Sequence, residues 1–205
     1  WPDRSLSLEL VERAKAAGYK ALIVTVDGVS AGNREYNIRN GFTIPFTFTT
    51  RNVIDMAAHP RWLLGVMLRY LVTTGMPMYR NYPAAAKAKL TTGPMGRSSL
   101  RTDSISWGDL DALRKIWPHK LIVKGILDPQ DAMTAVDHGA DGIGVSNHGG
   151  RNLDGIISPI EVLPEIADAV GKRATIFMDS GIRRGTDVVK ALALGANAVM
   201  VGRST

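Results

Sequence analysis

Apolar positions along the chain fall into two alternating rhythms. From Leu6 to Ala17 they recur at helical spacing, and Gly18 supplies a stop. Lys20 to Asp27 is a short run rich in β-branched residues, which reads as a strand. Ser106 is a candidate cap for a helix that opens at Trp107, with Asp109 three residues on and Pro118 as its end. Leu121–Gly125 is the next strand. Asp128-Pro129 begins a helix that Gly139 closes, with proline suited to the first turn. The apolar run Asp141–Val145 follows, then a helix from Ser158-Pro159 to about Val170. A strand over Thr175–Asp179, a helix from about Thr186 to Leu194 and a strand over Ala198–Gly202 complete the series.

These are repeated βα units whose strands are almost wholly apolar, the pattern of a parallel sheet buried on both faces. Polar residues and glycines gather where strands end: Thr25 and Asp27, Lys124, Ser146 and His148, Asp179, Gly202 and Arg203. Function at strand C-termini is the rule in a TIM (β/α)8 barrel. A doubly wound open sheet uses the same ends and is the alternative. The pattern yields five strands, whereas a closed barrel of this kind has eight.

Composition narrows the class. The 205 residues are 45% hydrophobic and 21% charged, an ordinary balance that suffices for a real core. No cysteine is present, which excludes disulfides and thiolate chemistry and fits a cytoplasmic setting. No signal peptide opens the chain and no apolar run is long enough to span a bilayer. The chain starts at Trp1 and stops at Thr205, just after Gly202-Arg203, and both ends are expected to be cut.

Charge is unevenly placed. No acidic residue occurs between Asp55 and Asp103, a window that holds Arg61, Arg69, Arg80, Lys87, Lys89, Arg97 and Arg101. Those seven basic residues exceed the whole chain's net charge of +6, so the basicity belongs to this segment. The segment also carries the apolar stretch Trp62–Val72, with Met76 and Met78 beyond it. Such a stretch can lie in a lipid interface with its cations on anionic headgroups. An active-site lid and a subunit contact are the competing readings. No recognised nucleic-acid module accompanies the basic patch.

Ser146-Asn147-His148-Gly149-Gly150-Arg151 concentrates the chemistry. A histidine can take a proton near neutral pH, the glycines allow close approach to backbone, and an arginine can grip a carboxylate with two parallel hydrogen bonds. Asp179–Gly185, followed one unit later by Gly202-Arg203, reads as a phosphate site made of a helix start and arginines. Lys124 could be a Schiff-base nucleophile, a surface charge or a fixed cation beside an electron-rich ring. Asp27 could orient an imidazolium and Arg34 could reach an anion, although spacing alone favours loop salt bridges for both. No cluster has metal-ligand spacing, so no metal is expected.

The stretch from Ser146 to Asp154 resembles the signature of the FMN-dependent L-2-hydroxy-acid dehydrogenases and oxidases. Asn152 stands where that signature usually has Gln, a difference expected to matter little. Leu121–Gly125, Asp179–Asp187 and Ala191–Ala196 match the same family, and the likeness runs nearly end to end. It implies a TIM barrel of which this chain supplies about strands four to eight. By the same likeness residues 1–205 are the C-terminal part of one FMN-binding domain, with an apolar-basic insert at about 46–103. The resemblance assigns His148 as catalytic base with Asp27 as its carboxylate partner. It assigns Arg34 and Arg151 to the substrate carboxylate, Lys124 to the reduced flavin ring, and Thr25 and Ser146 to flavin contacts. Asp179, Gly181, Arg183, Gly202 and Arg203 correspond to ribityl and phosphate contacts.

The segment between Asp27 and Trp107 looks most like (S)-mandelate dehydrogenases, with flavin L-lactate dehydrogenases next. Its motifs are Asn33-Arg34-Glu35, Gly41–Pro45 and His59–Trp62. The likeness therefore implies oxidation of a small 2-hydroxy acid, with electrons passed to a membrane quinone or another acceptor. It implies a peripheral position on the inner face of the plasma membrane through residues 60–101, and a homo-oligomer, a tetramer, when complete. The family's first strands would lie upstream of Trp1, so the isolated chain is expected to be inactive. Competing readings are an oxygen-using oxidase of the same family, an FMN isomerase barrel lacking the His148–Arg151 pair, a non-catalytic phosphate-binding barrel, and a non-functional gene fragment.

Overall fold

A computed structural model describes residues 4–28, 35–82, 87–92 and 105–202. These fall into two compact units, 11–28 with 105–202 and 4–10 with 35–82 and 87–92.

The larger unit is the repeated βα pattern. Helix α1 (Arg4–Ala16) leads into β1 (Ala21–Thr25). Across the sheet then come β2 (Lys120–Ile126), β3 (Gly142–Val145), β4 (Thr175–Met178) and β5 (Ala198–Val199). All pairings are parallel and the spatial order is β1-β2-β3-β4-β5. Every strand therefore lies beside its successor in the chain. A doubly wound sheet must reverse direction at a switch point; this one never does, as a barrel requires, and the open-sheet alternative falls away. The last strand is shorter than its apolar run, because Met200 N–H still bonds to Met178 O but pairing ends there.

The helices begin where local chemistry says they should. In α6 (Trp107–Ile116), Ser106 and Asp109 form a reciprocal cap, Asp109 Oδ2 accepting from Ser106 N at 2.8 Å. In α7 (Pro129–Asp137), Asp128 accepts from the N–H groups of Gln130 and Asp131 at 2.8 and 3.1 Å. Two further helices, α8 (Pro159–Val170) and α9 (Gly185–Ala193), complete the outer layer. Core residues from both layers meet in one cluster: Trp117, Leu121, Ile143, Val145, Leu163 and Ile166 are fully buried. Burial of such side chains contributes roughly 1.5–3 kcal/mol each.

The N-terminal ends of the strands are stitched by Asp141. Its carboxylate accepts from Leu121 N–H, Arg114 and Lys120 at 2.9, 2.9 and 3.0 Å. Arg114 also donates to the carbonyls of Trp117, His119 and Gly139. Gly139 sits at φ +88°, and a Cβ there would lie 2.8 Å from Arg114 Cδ. Burial pushes Asp141 up, but the Leu121 N–H and the Lys120 and Arg114 cations outweigh it and hold the carboxyl below its usual range.

The smaller unit is helical: α2 (Glu35–Arg39), α3 (Thr50–Ala58), α4 (Pro60–Trp62), a π-helical stretch (Leu63–Leu68) and α5 (Arg69–Thr74). The last three form one unbroken helical run over the apolar segment. Among the described residues of this unit none is buried. Trp62, Leu64, Val66, Leu68 and Val72 are all more than 45% exposed.

Candidate active site

The C-terminal ends of the strands open onto a cavity of about 1290 Å³. Thr25, Lys124, His148, Arg151, Asp179 and Gly181 line it, and so do Arg183 and Gly202. Ser146 is fully buried beneath this surface, and Asp27 is nearly so. Ten of the twelve residues singled out in the sequence are thus described and lie at one end of the sheet. Arg34 and Arg203 fall outside the described residues.

Glycines shape the floor. Lys124 and Gly144 are register partners on β2 and β3, and a Cβ on Gly144 would lie 3.1–3.2 Å from the Lys124 chain. The missing side chain lets the lysine stem cross β3. Its ammonium then reaches Ser146 Oγ at 2.9 Å and Asp179 Oδ2 at 3.0 Å, with Asp27 Oδ2 3.9 Å away. One cation is therefore flanked by two carboxylates, which rules out a simple surface charge.

His148 is held by its backbone and its ring. The residue sits at φ +57°, uncommon for a side chain larger than glycine. Its N–H donates to Ser146 Oγ at 3.1 Å. Gly149 N–H donates to Asn147 Oδ1 at 3.0 Å and to Ser180 Oγ at 2.9 Å. Ser180, itself at φ +74°, donates its hydroxyl hydrogen bond to Asp179 Oδ1 at 2.9 Å. Lys124, Ser146, the His148 turn, Ser180 and Asp179 thereby close a hydrogen-bonded ring. The imidazole Nδ1 lies 2.9 Å from Asp27 Oδ1. A carboxylate only accepts, so Nδ1 carries the proton, and in the neutral ring Nε2 is then the acceptor. The pairing that spacing alone disfavoured is made by the fold, across 121 residues of chain.

The turn after β4 differs in detail from a simple phosphate cradle. Asp187 accepts from the N–H groups of Arg183 and Arg184 at 3.0 and 2.9 Å, and those two donors hold its carboxyl below the usual range. Open backbone is left at Gly181 and Gly202, where a Cβ would meet nothing within 4 Å. The Arg183 side chain is exposed beside them. Ser180, Asn147 and Gly125 lie within the motifs but were given no role of their own, and Asn152 was expected to matter little. Only Gly125, a glycine inside an apolar strand, carried a local signal.

The family model for FMN-dependent dehydrogenases matches residues 1–205. The chain belongs to this family. (S)-mandelate dehydrogenase of Pseudomonas putida is 42% identical over 202 residues, covering 98% of this chain and 50% of that protein. An L-lactate dehydrogenase of Pectobacterium atrosepticum is 45% identical over 205 residues, covering 98% and 52%. The chain thus spans about half the length of the curated relatives it matches. Among solved structures, a monotopic membrane protein, (S)-mandelate dehydrogenase, superposes with a TM-score of 0.85 at 40% identity, covering 98% of this chain and 52% of that one. A mandelate oxidase superposes at 0.68 and 35% identity, covering 100% and 48%. As a member of the FMN-dependent dehydrogenases, the chain is part of a TIM barrel, and its five successive parallel strands are a contiguous arc of that barrel.

Proposed function

We propose that the enzyme built from this chain oxidises an L-2-hydroxy acid, (S)-mandelate or L-lactate, to the 2-oxo acid. The observation that carries the reading is the His148–Asp27 pair at 2.9 Å, with His148 lining the same cavity as Arg151 and Lys124. The residues present fit FMN: bare glycine backbone at Gly181 and Gly202 beside Arg183, and a lysine ammonium at the strand ends. Thr25 and Lys124 would hold the ring, with Ser146 serving it from beneath by fixing the lysine ammonium, and Asp179, Gly181, Arg183, Gly202 and Arg203 would hold the ribityl chain and phosphate. When bound, FMN supplies the two-electron acceptor that no side chain here provides.

The protein's part is binding and proton transfer. Arg151 is exposed in the turn beside His148 and, with Arg34, would take the substrate carboxylate in a bidentate grip. That presents the hydroxyl-bearing carbon to His148 Nε2, which takes one of the two protons lost in the oxidation, the other being accepted together with the electron pair by FMN when bound. The resulting imidazolium is stabilised by the Asp27 carboxylate at Nδ1. Lys124 places positive charge where the oxidised substrate's electrons are received. In the complete FMN-loaded enzyme, His148→Gln should lower kcat at least about a hundredfold with flavin still bound. Anaerobic bleaching of the flavin by mandelate, lactate and glycolate in turn identifies the substrate. Unchanged turnover in the variant would mean that His148 is not the base, and absence of turnover in the FMN-loaded parent would mean a binding protein instead.

Domain, surroundings and assembly follow as part of the same proposal. Residues 1–205 supply the C-terminal part of one FMN-binding domain, with the insert at about 46–103. The insert's described helices leave Trp62, Leu64, Leu68 and Val72 exposed among basic side chains. No described helix is long and apolar enough to cross a membrane. These features support docking on the anionic inner face of the plasma membrane through residues 60–101. Electrons would then pass to a membrane acceptor rather than to oxygen, and the complete enzyme would be a tetramer.

A further inference from the structure

Asp27 is contacted by two residues far from it in the chain, Asn152 and Gly125. Asn152, in the turn after His148, donates from Nδ2 to the Asp27 backbone carbonyl at 2.8 Å and toward Asp27 Oδ1 at 3.4 Å. Both partners are acceptors, so the amide nitrogen faces Asp27. Gly125, on β2, also bears on Asp27. The register of β2 against β3 shifts between Lys124 and Ile126, and Gly125 occupies the irregularity at φ +108°. A Cβ there would lie 2.7 Å from Asp27 Cβ and 2.9 Å from both its Cγ and its backbone N. No flexible tip is involved, so the aspartate itself would have to move. Bulges recur beside active sites because they re-aim a side chain.

Asp27 Oδ2 adds a third constraint. It is buried with no hydrogen-bond partner among the described residues, and the Lys124 ammonium is 3.9 Å away. Left to itself, a buried unpaired oxygen favours rotation toward a donor or toward water. The Asn152 amide opposes that by holding Oδ1 on the imidazole side. We propose that Asn152 and Gly125 form a clamp that positions Asp27 on His148 Nδ1, and that Asn152 is a positioning residue for the reaction. Arg151 is the adjacent residue, so the tether also sets where the substrate arginine leaves the turn. The shorter amide, standing where the family signature usually has Gln, is sufficient for this contact.

The inference rests on reading His148 as the base, and its test separates the two. The complete FMN-bound enzyme is used, with 15N-labelled histidine to read which ring nitrogen of His148 carries the proton. In the parent protein the Nδ1–H form should dominate. Asn152→Ala should mix the two tautomers and lower kcat about ten- to a hundredfold, the scale of a misplacement of roughly 1 Å. KM should change far less than kcat. Asn152→Gln should restore both signals. Gly125→Ala should reproduce the Ala phenotype. In an Asp27→Asn background, Asn152→Ala should add almost nothing, because both act through one carboxylate. If Asn152→Ala does not fold, Asn152→Ser serves, its hydroxyl one bond short of the amide nitrogen. Should Asp27→Asn cripple the enzyme while the Asn152 and Gly125 variants keep tautomer and kcat, the clamp is wrong and the base assignment stands. Should Asp27→Asn itself change neither, the base assignment is wrong.

Discussion

At the residue scale the site is built from side chains in unusual backbone positions. His148 at φ +57° and Ser180 at φ +74° each occupy a region that costs about 1 kcal/mol or more for a non-glycine residue. Hydrogen bonds through Ser146, Gly149 and Asp179 hold them there. Ser180→Ala keeps the strained backbone and loses both bonds, so it should destabilise the enzyme by about 1–2 kcal/mol. Ser180→Gly removes the strain as well and should cost less. Chemical denaturation of the two variants side by side checks the order; equal losses would mean that the backbone strain at this position costs nothing. Neither serine nor glycine at this position announces such a role locally, which is why Ser180 was not legible in the chain.

At the element scale the helices and strands were largely written in local chemistry. Ser106 with Asp109, and Asp128 with Pro129, act as the caps their spacing predicts, because a cap involves only three or four consecutive residues. The strand ends were less legible, because pairing depends on a neighbour distant in sequence. Asp141 shows the consequence. Its carboxyl is held below the usual range, so its stabilising effect is present above the ordinary carboxylate range and is lost as pH falls through the lowered value. Asp141→Ala should cost about 2 kcal/mol near neutral pH, and the difference from the parent should shrink in acid. Unfolding curves across pH test this; a pH-independent difference would point to packing alone.

At the scale of the whole molecule, the sheet and the helical unit have opposite characters. One has a dense apolar core, and the other has no buried described residue. Apolar helices without a core of their own need another surface, and basic residues among them select an anionic one. Removing residues 60–82 from the complete enzyme should abolish binding to anionic liposomes while leaving FMN bound. Binding that survives the deletion refutes the membrane proposal. Added salt should weaken the parent's binding, since part of the attraction is screened coulombic force.

Residue order alone determined the alternation of strands and helices, the caps, the basic apolar segment, and the histidine turn at a strand end, all features that span a few neighbouring residues. Periodicity and spacing left two parallel architectures open, and only the family resemblance pointed to the barrel; the tertiary structure settles it, because strand order is a relation between segments far apart. It also makes the pairing of His148 that spacing disfavoured and the resemblance implied. Asp27 lies 121 residues earlier and gains its role only when a bulge at Gly125 makes room and Asn152 reaches across. Hydrogen bonds of this kind depend on positions to within about half an ångström, and only packing specifies those.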